Sequence, residues 1–278
     1  MCCTPIVNRK SSIRNPFTFA KKQNMKFTLT SLSVLAALCL TTLLPAQNAE
    51  ATVYELRIYD CHPGKLNDLN RRFRDHTMKL FEKHGMTNVA YWTPLDNPDE
   101  KLYYVLSHKS REAAKASWAA FVADTTWQRV WKASEPNGND IIAGIESIFL
   151  KTTDFSTNNF ESSLNSGMWE LRIYHCTPNN LTHLLERFRT FTVHRFARYG
   201  MVNKIYWTPT DANQGADNTL YYFLTHASPA AAKASFDKFR NDPDWIATRK
   251  ASEVKGGGSL TSSIESIYMW PTDYSPVR

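Results

Sequence analysis

The chain has 278 residues and a formal net charge of +7, with 33 Lys and Arg against 26 Asp and Glu. Six of those basic residues, and one acid, Glu50, fall within residues 1–51, so the rest of the chain is nearly neutral. That balance provides no electrostatic footprint for a phosphate backbone and argues against nucleic acid as a partner.

Taken in chain order, the first feature is a leader. Lys26 opens a short basic region, residues 27–44 form an apolar run, and Ala49-Glu50-Ala51 has the small-x-small pattern of a signal-peptidase site. Residues 1–51 are read as a leader with a signal peptide from Met25, cleaved to begin the mature protein near Thr52. The run is broken by Thr28, Thr30, Ser31 and Ser33, which disfavours a membrane anchor persisting after cleavage. A lipoprotein built on Cys39 is discounted because Leu38 before it is too large. The expected location is periplasmic or secreted. Cys2, Cys3 and Cys39 leave with the leader, so Cys61 and Cys176 remain; a bridge between them is conceivable, the alternative being two small buried thiols.

Residues 53–60 alternate with period two, Tyr54, Leu56 and Ile58 against Glu55, Arg57 and Tyr59, which predicts a strand. Pro63-Gly64 is read as the opening of a helix that carries Leu66, Leu69, Phe73, Leu80 and Phe81 at helical spacing and stops at Gly85. Residues 86–93 and 101–108 are two strands joined by a turn-rich loop. Ser110 starts a second helix, broken near Asp124, and a further helical turn holds Trp127 and Trp131. Residues 141–151 are the last strand. The polar segment 157–167 is a linker, and then the order repeats: Glu-Leu-Arg-Ile-Tyr at 55–59 returns at 170–174, and 21 of the 41 positions from Tyr54 to Pro94 are identical to those from Trp169 to Pro209. The expected organisation is repeat 1 over 52–156 and repeat 2 over 168–278.

The predicted fold class is α+β, two tandem ferredoxin-like βαββαβ units. Each unit carries its helices on one sheet face and leaves the other bare, so the two sheets cover one another as an intramolecular dimeric α/β barrel, a monomeric pseudo-dimer open to further oligomerisation.

The motifs Tyr-Glu-Leu-Arg-Ile-Tyr, Pro-Gly, His-Gly-Met and Tyr-Trp-Thr, with Trp127 after an Ala-Asp break, resemble the NIPSNAP domain, twice over. The resemblance implies a barrel of the dimeric α/β group and little about chemistry. Relatives in that wider group include cofactor-free monooxygenases and haem enzymes, so fold alone does not set function. Repeat 2 departs from repeat 1 at His62, Gly64, His76 and His84, where it has Thr177, Asn179, Phe191 and Tyr199.

If Leu56 and Ile58 face the helices, then Glu55, Arg57 and Tyr59, like Glu170, Arg172 and Tyr174, point into the barrel. The usual strand order puts His108 near Glu55 and Glu146 near Tyr59. The candidate catalytic residues are therefore His108, Glu55, His226 and Glu170, a carboxylate orienting an imidazole base, with Arg57 holding an anionic or enolate-like substrate. The competing reading is a buried ion-pair network with no chemistry. Trp92, Trp207, Tyr104 and Tyr222, with Arg57, Tyr59, Arg172 and Tyr174, are the candidate ligand-binding set for a planar molecule; the competing reading is ordinary core. No cofactor is expected, haem being the alternative: it would need an axial ligand, His108 and His226 are the only histidines shared by the repeats and lie in no haem motif, and no His, Cys or carboxylate spacing suits a metal. The functional expectation is an exported protein that binds a small aromatic or anionic molecule between its repeats. The alternatives are a cofactor-independent monooxygenase or isomerase with a Glu-His base, and a protein-interaction module.

Overall fold

Eight strands close into one antiparallel barrel in the order β1-β3-β2-β8-β5-β7-β6-β4. The computed structural model describes residues 52–138, 140–160 and 167–277; the leader expected over 1–51 and the middle of the expected linker lie outside the described residues. In repeat 1 the elements are β1 (Val53–Cys61), α1 (Leu66–Arg72), a π-helical turn (Phe73–Thr77), α2 (Met78–Lys83), β2 (Thr87–Pro94), β3 (Lys101–His108), α3 (Arg111–Ala123), α4 (Thr125–Ser134) and β4 (Ile142–Thr152). Repeat 2 follows with β5 (Met168–Cys176), α5 (Leu181–Arg187), a π-helical turn (Phe188–Thr192), α6 (Val193–Arg198), β6 (Val202–Pro209), a 3₁₀ turn (Ala212–Gln214), β7 (Thr219–His226), α7 (Pro229–Arg240), α8 (Pro243–Lys255) and β8 (Thr261–Pro271).

Local chemistry explains the boundaries. Ser110 and Ser228 cap α3 and α7 through their hydroxyls, each accepting from the backbone N–H three residues on. Asp124 and Asp242 do the same for α4 and α8 and so end the preceding helix. Pro63 and Gly64, expected to open the first helix, instead form the turn ahead of it. Gly64 sits at φ +79, a left-handed conformation that no helical residue adopts, and the Glu100 carboxylate accepts from the N–H groups of Gly64 and Leu66. Asn179 takes the same conformation in repeat 2, at φ 65.

Each repeat supplies four neighbouring strands, and two short seams close the cylinder. At one, Thr93 pairs with Trp270; at the other, Lys151 pairs with Thr208. The tails after β4 and β8 cross these seams. Ser156 accepts from the N–H of Tyr206, and Ser275 from that of Tyr91. Arg189 and Arg74 pair with Asp154 and Asp273 of the opposite tail. Phe160, read in the sequence as part of a polar linker, enters the barrel and packs against Trp92, Trp169, Trp207 and Phe223.

Three cores result: the barrel interior, and one helix-to-sheet layer on each repeat. Leu56 and Ile58 belong to the interior, with Leu171 and Ile173 of the other repeat, whereas Tyr59 lies in the layer under the helices. The expected facing of β1 is therefore inverted. A strand buried on both faces shows alternation without revealing which set meets the helices, and here the fully apolar set fills the barrel. Cys61 and Cys176 are free and lie in different helix-to-sheet layers, so the conceivable bridge is absent.

Candidate functional site

On its helix-facing side β1 presents Glu55, Arg57 and Tyr59 beneath α3. Glu55 accepts from Arg57 Nη1 (2.6 Å) and Ser147 Oγ (2.7 Å) on Oε1, and from Trp118 Nε1 (2.8 Å) on Oε2, which also meets His108 Nε2 (2.9 Å). The antiparallel register places them so: Arg57 lies opposite Tyr104 on β3 and Ser147 on β4, while His108 ends β3 opposite Val53. Arg57 stacks on Trp118, 4.3 Å from the ring centroid, and donates to the Tyr59 hydroxyl at 3.3 Å. Burial alone would raise the Glu55 carboxyl. The bond to His108, the Arg57 charge and the bonds from Ser147 and Trp118 outweigh burial and bring its pKa down to about 2.

Repeat 2 repeats the network with one donor fewer. Glu170 meets His226 (2.7 Å), Arg172 (2.6 Å) and Ser266 (2.6 Å), but Phe236 stands where Trp118 would donate. Its carboxyl is likewise held below the ordinary value against the effect of burial. In both repeats the imidazole Nδ1 is buried without a partner, and His108 and His226 are 2% and 3% exposed. The Glu-His pairs thus have the geometry of an oriented base, and both imidazoles are closed off from solvent.

The open space lies further along the same face. A cavity of 370 Å³ sits between the helices of repeat 1 and the β4 edge, with Tyr59, Phe73, Phe81, Phe121, Trp127 and Trp131 among its walls and Arg72, Thr77 and Glu135 as its polar groups. The π-helical turn aims these side chains: Thr77 Oγ1 donates to the Arg72 carbonyl at 3.1 Å, five residues back, and the extra residue per turn brings both Arg72 and Phe73 to the buried side. Arg72 and Glu135 form a buried ion pair, and Arg72 also lies over the Trp127 ring at 5.5 Å. Tyr59 joins cavity and network, since its hydroxyl meets Arg57 while its side chain lines the cavity.

The proposed ligand set is divided by this arrangement. Arg57, Tyr59 and Tyr104 lie under the helices of repeat 1, and Arg172, Tyr174 and Tyr222 under those of repeat 2, where Arg172 Nε donates to Tyr222 at 2.9 Å. Trp92 and Trp207 instead lie in the barrel interior, fully buried among other rings, so they share no pocket with the arginines. Glu146 pairs with Ile58 and takes the parity opposite to Arg57, so it forms no ion pair there. Sequence reasoning passed over Arg72, Glu135 and Trp118. A signal for the first two existed, in that Arg72 recurs as Arg187 and Ser134-Glu135 as Ser252-Glu253. Among the described residues no group of three or more His, Cys, Asp or Glu is placed to hold a metal, and no helix is long and apolar enough to cross a membrane.

The fold and its cavity define an α+β protein with an eight-stranded antiparallel barrel made of two repeated units. The NIPSNAP family profile matches residues 54–157 and again 169–276, and the chain belongs to the NIPSNAP family. Among curated proteins none matches the sequence. In structure the chain is similar to a "putative monooxygenase" from Lactobacillus acidophilus NCFM, with 11% identity and a TM-score of 0.51 over 82% of this chain and 100% of that one. An anthrone oxidase-like protein shares 13% identity, with a TM-score of 0.50 over 80% and 92%. A NIPSNAP family protein from Agrobacterium tumefaciens str. C58 is 21% identical over 38% of this chain and 97% of that one, with a TM-score of 0.34.

Proposed function

We propose that the protein binds a small planar aromatic molecule in the cavity under the helices of repeat 1, not between the two sheets. The observation that carries this is the cavity itself: 370 Å³ walled by aromatic rings, Tyr59 among them, with Thr77 and the Arg72–Glu135 pair as its polar groups. That volume and mixture are those of a small-molecule site. The filled barrel interior argues against a site between the repeats. The fold reading that goes with it is a fused dimeric α/β barrel of two ferredoxin-like units, supported by the strand order β4-β1-β3-β2 in repeat 1 and β8-β5-β7-β6 in repeat 2.

Titration with 2-naphthol, followed by tryptophan fluorescence, tests the site. Saturable quenching is expected, weakened about tenfold by Trp131→Ala through loss of one stacking face and weakened also by Tyr59→Phe. Absence of saturable quenching by 2-naphthol and by anthrone refutes the proposal. An enzymatic reading, cofactor-independent oxygenation or isomerisation, is favoured by one observation: Tyr59 at the cavity is joined through Arg57 to Glu55 and His108. It demands that oxygen uptake or isomerisation of a bound aromatic be abolished by Glu55→Gln and by His108→Ala with the fold intact. Export through the leader is part of the same proposal; N-terminal sequencing of the exported protein should begin near Thr52, and an intact leader refutes it.

A further inference from the structure

Arg187 ends α5 as Arg72 ends α1, each beside a tryptophan, Trp245 at 5.1 Å and Trp127 at 5.5 Å. Arg72 has a counter-ion in Glu135, whereas Arg187 has none among the described residues. We infer that repeat 2 carries a second binding site, of different chemistry from the cavity in repeat 1, for a small aromatic carboxylate held by Arg187 and Arg249.

In repeat 1, Glu135 precedes Pro136. A residue before proline is pushed out of the helical region, α4 stops at Ser134, and Glu135 turns inward at φ −132 to neutralise Arg72. In repeat 2, Val254 stands where Pro136 does, so α8 continues to Lys255 and keeps Glu253 on the helix, where its carboxylate meets Arg249 at 3.9 Å. Among the described residues Arg187 makes no ion pair. It is 7% exposed, donates to Ser252 Oγ at 3.2 Å, and leaves Nε buried without a partner. Burial works against its charge, and the groups that act on it are the phenols of Tyr174 and Tyr222, the Glu253 carboxylate and the Arg249 cation. A buried guanidinium without a counter-ion is costly, and a bound oxyanion removes the cost.

The surroundings have changed in the same sense. Arg249 occupies the position of Trp131, and Thr261, Ser262 and Ser263 those of Ile142, Ala143 and Gly144. A guanidinium fork fits a carboxylate in two parallel bonds, and Trp245 supplies a flat face for an attached ring.

Isothermal titration of the full chain with benzoate, and with benzamide as its neutral isostere, tests this. Benzoate should bind at one site at least tenfold more tightly than benzamide. Arg187→Met should weaken benzoate at least tenfold and Arg249→Gln about threefold. Arg249 is exposed, so its substitution keeps the test sound should Arg187→Met fail to fold. Equal affinity for benzoate and benzamide, or unchanged benzoate affinity in Arg249→Gln or folded Arg187→Met, overturns the site.

Discussion

The indole N–H of Trp118 on α3 donates to Oε2 of Glu55 on β1 at 2.8 Å, and the same ring lies under the Arg57 guanidinium. One side chain from the helix layer therefore completes a carboxylate shell that the sheet alone leaves a donor short. Trp118→Phe installs what repeat 2 carries at this place, Phe236. It is expected to cost about 1.5–3 kcal/mol, the net value of one hydrogen bond to a charged acceptor, measured by urea unfolding.

Glu55→Gln should be more severe. It leaves Arg57 beneath α3 without its counter-ion, and breaking one side of a buried pair costs about 3–5 kcal/mol. The same change at Glu170 strands Arg172 in the same way. A loss under 1 kcal/mol in both variants would mean that the ion pairs contribute nothing net to folding.

Acid sensitivity follows from the same carboxyl. Its pKa is about 2 in the fold against an ordinary 4.5, so its stabilising contribution is complete above pH 4.5 and is lost as the pH falls through 2. The amount at stake is about 3 kcal/mol, and Glu170 contributes in the same direction. Unfolding free energies measured from pH 6 to pH 2 should fall along this window, and the fall should be shallower in Glu55→Gln.

Phe160→Ala removes the ring that plugs the barrel between Trp92, Trp169 and Trp207, and should cost about 3–4 kcal/mol. Aromatic binding in the repeat 1 cavity should be unaffected, since Phe160 does not line it. Loss of that binding in a folded Phe160→Ala protein would place the ligand in the barrel after all.

Burial pushes the Cys61 thiol up to about 12 and Cys176 up to about 11. In a chain with Cys2, Cys3 and Cys39 replaced, both remaining thiols should resist a disulfide reagent at pH 8 in the native state and react in urea. Rapid native reaction of either would contradict the burial.

Much of this was legible in the chain. The period-two runs, the helix start at Ser110, the break near Asp124, the stop at Gly85 and the repetition of Glu-Leu-Arg-Ile-Tyr specify the order of elements and the duplication, because starts, breaks, turns and alternation are local properties. The nearness of His108 to Glu55 was legible too, since antiparallel pairing of β1 and β3 follows from the element order.

What the chain alone determined was therefore the inventory of strands and helices, their order and the fact that they occur twice. Which face of β1 meets the helices was decided only in three dimensions, because both faces are buried and a period of two is blind to the difference. The division of Trp92 and Trp207 from Arg57 and Tyr59, the entry of Phe160 into the barrel, and the pairing of Arg72 with Glu135 while Arg187 makes no ion pair among the described residues all depend on side chains far apart in the chain. Their partners are chosen by packing across the seams and between layers, and no spacing along the sequence records that choice.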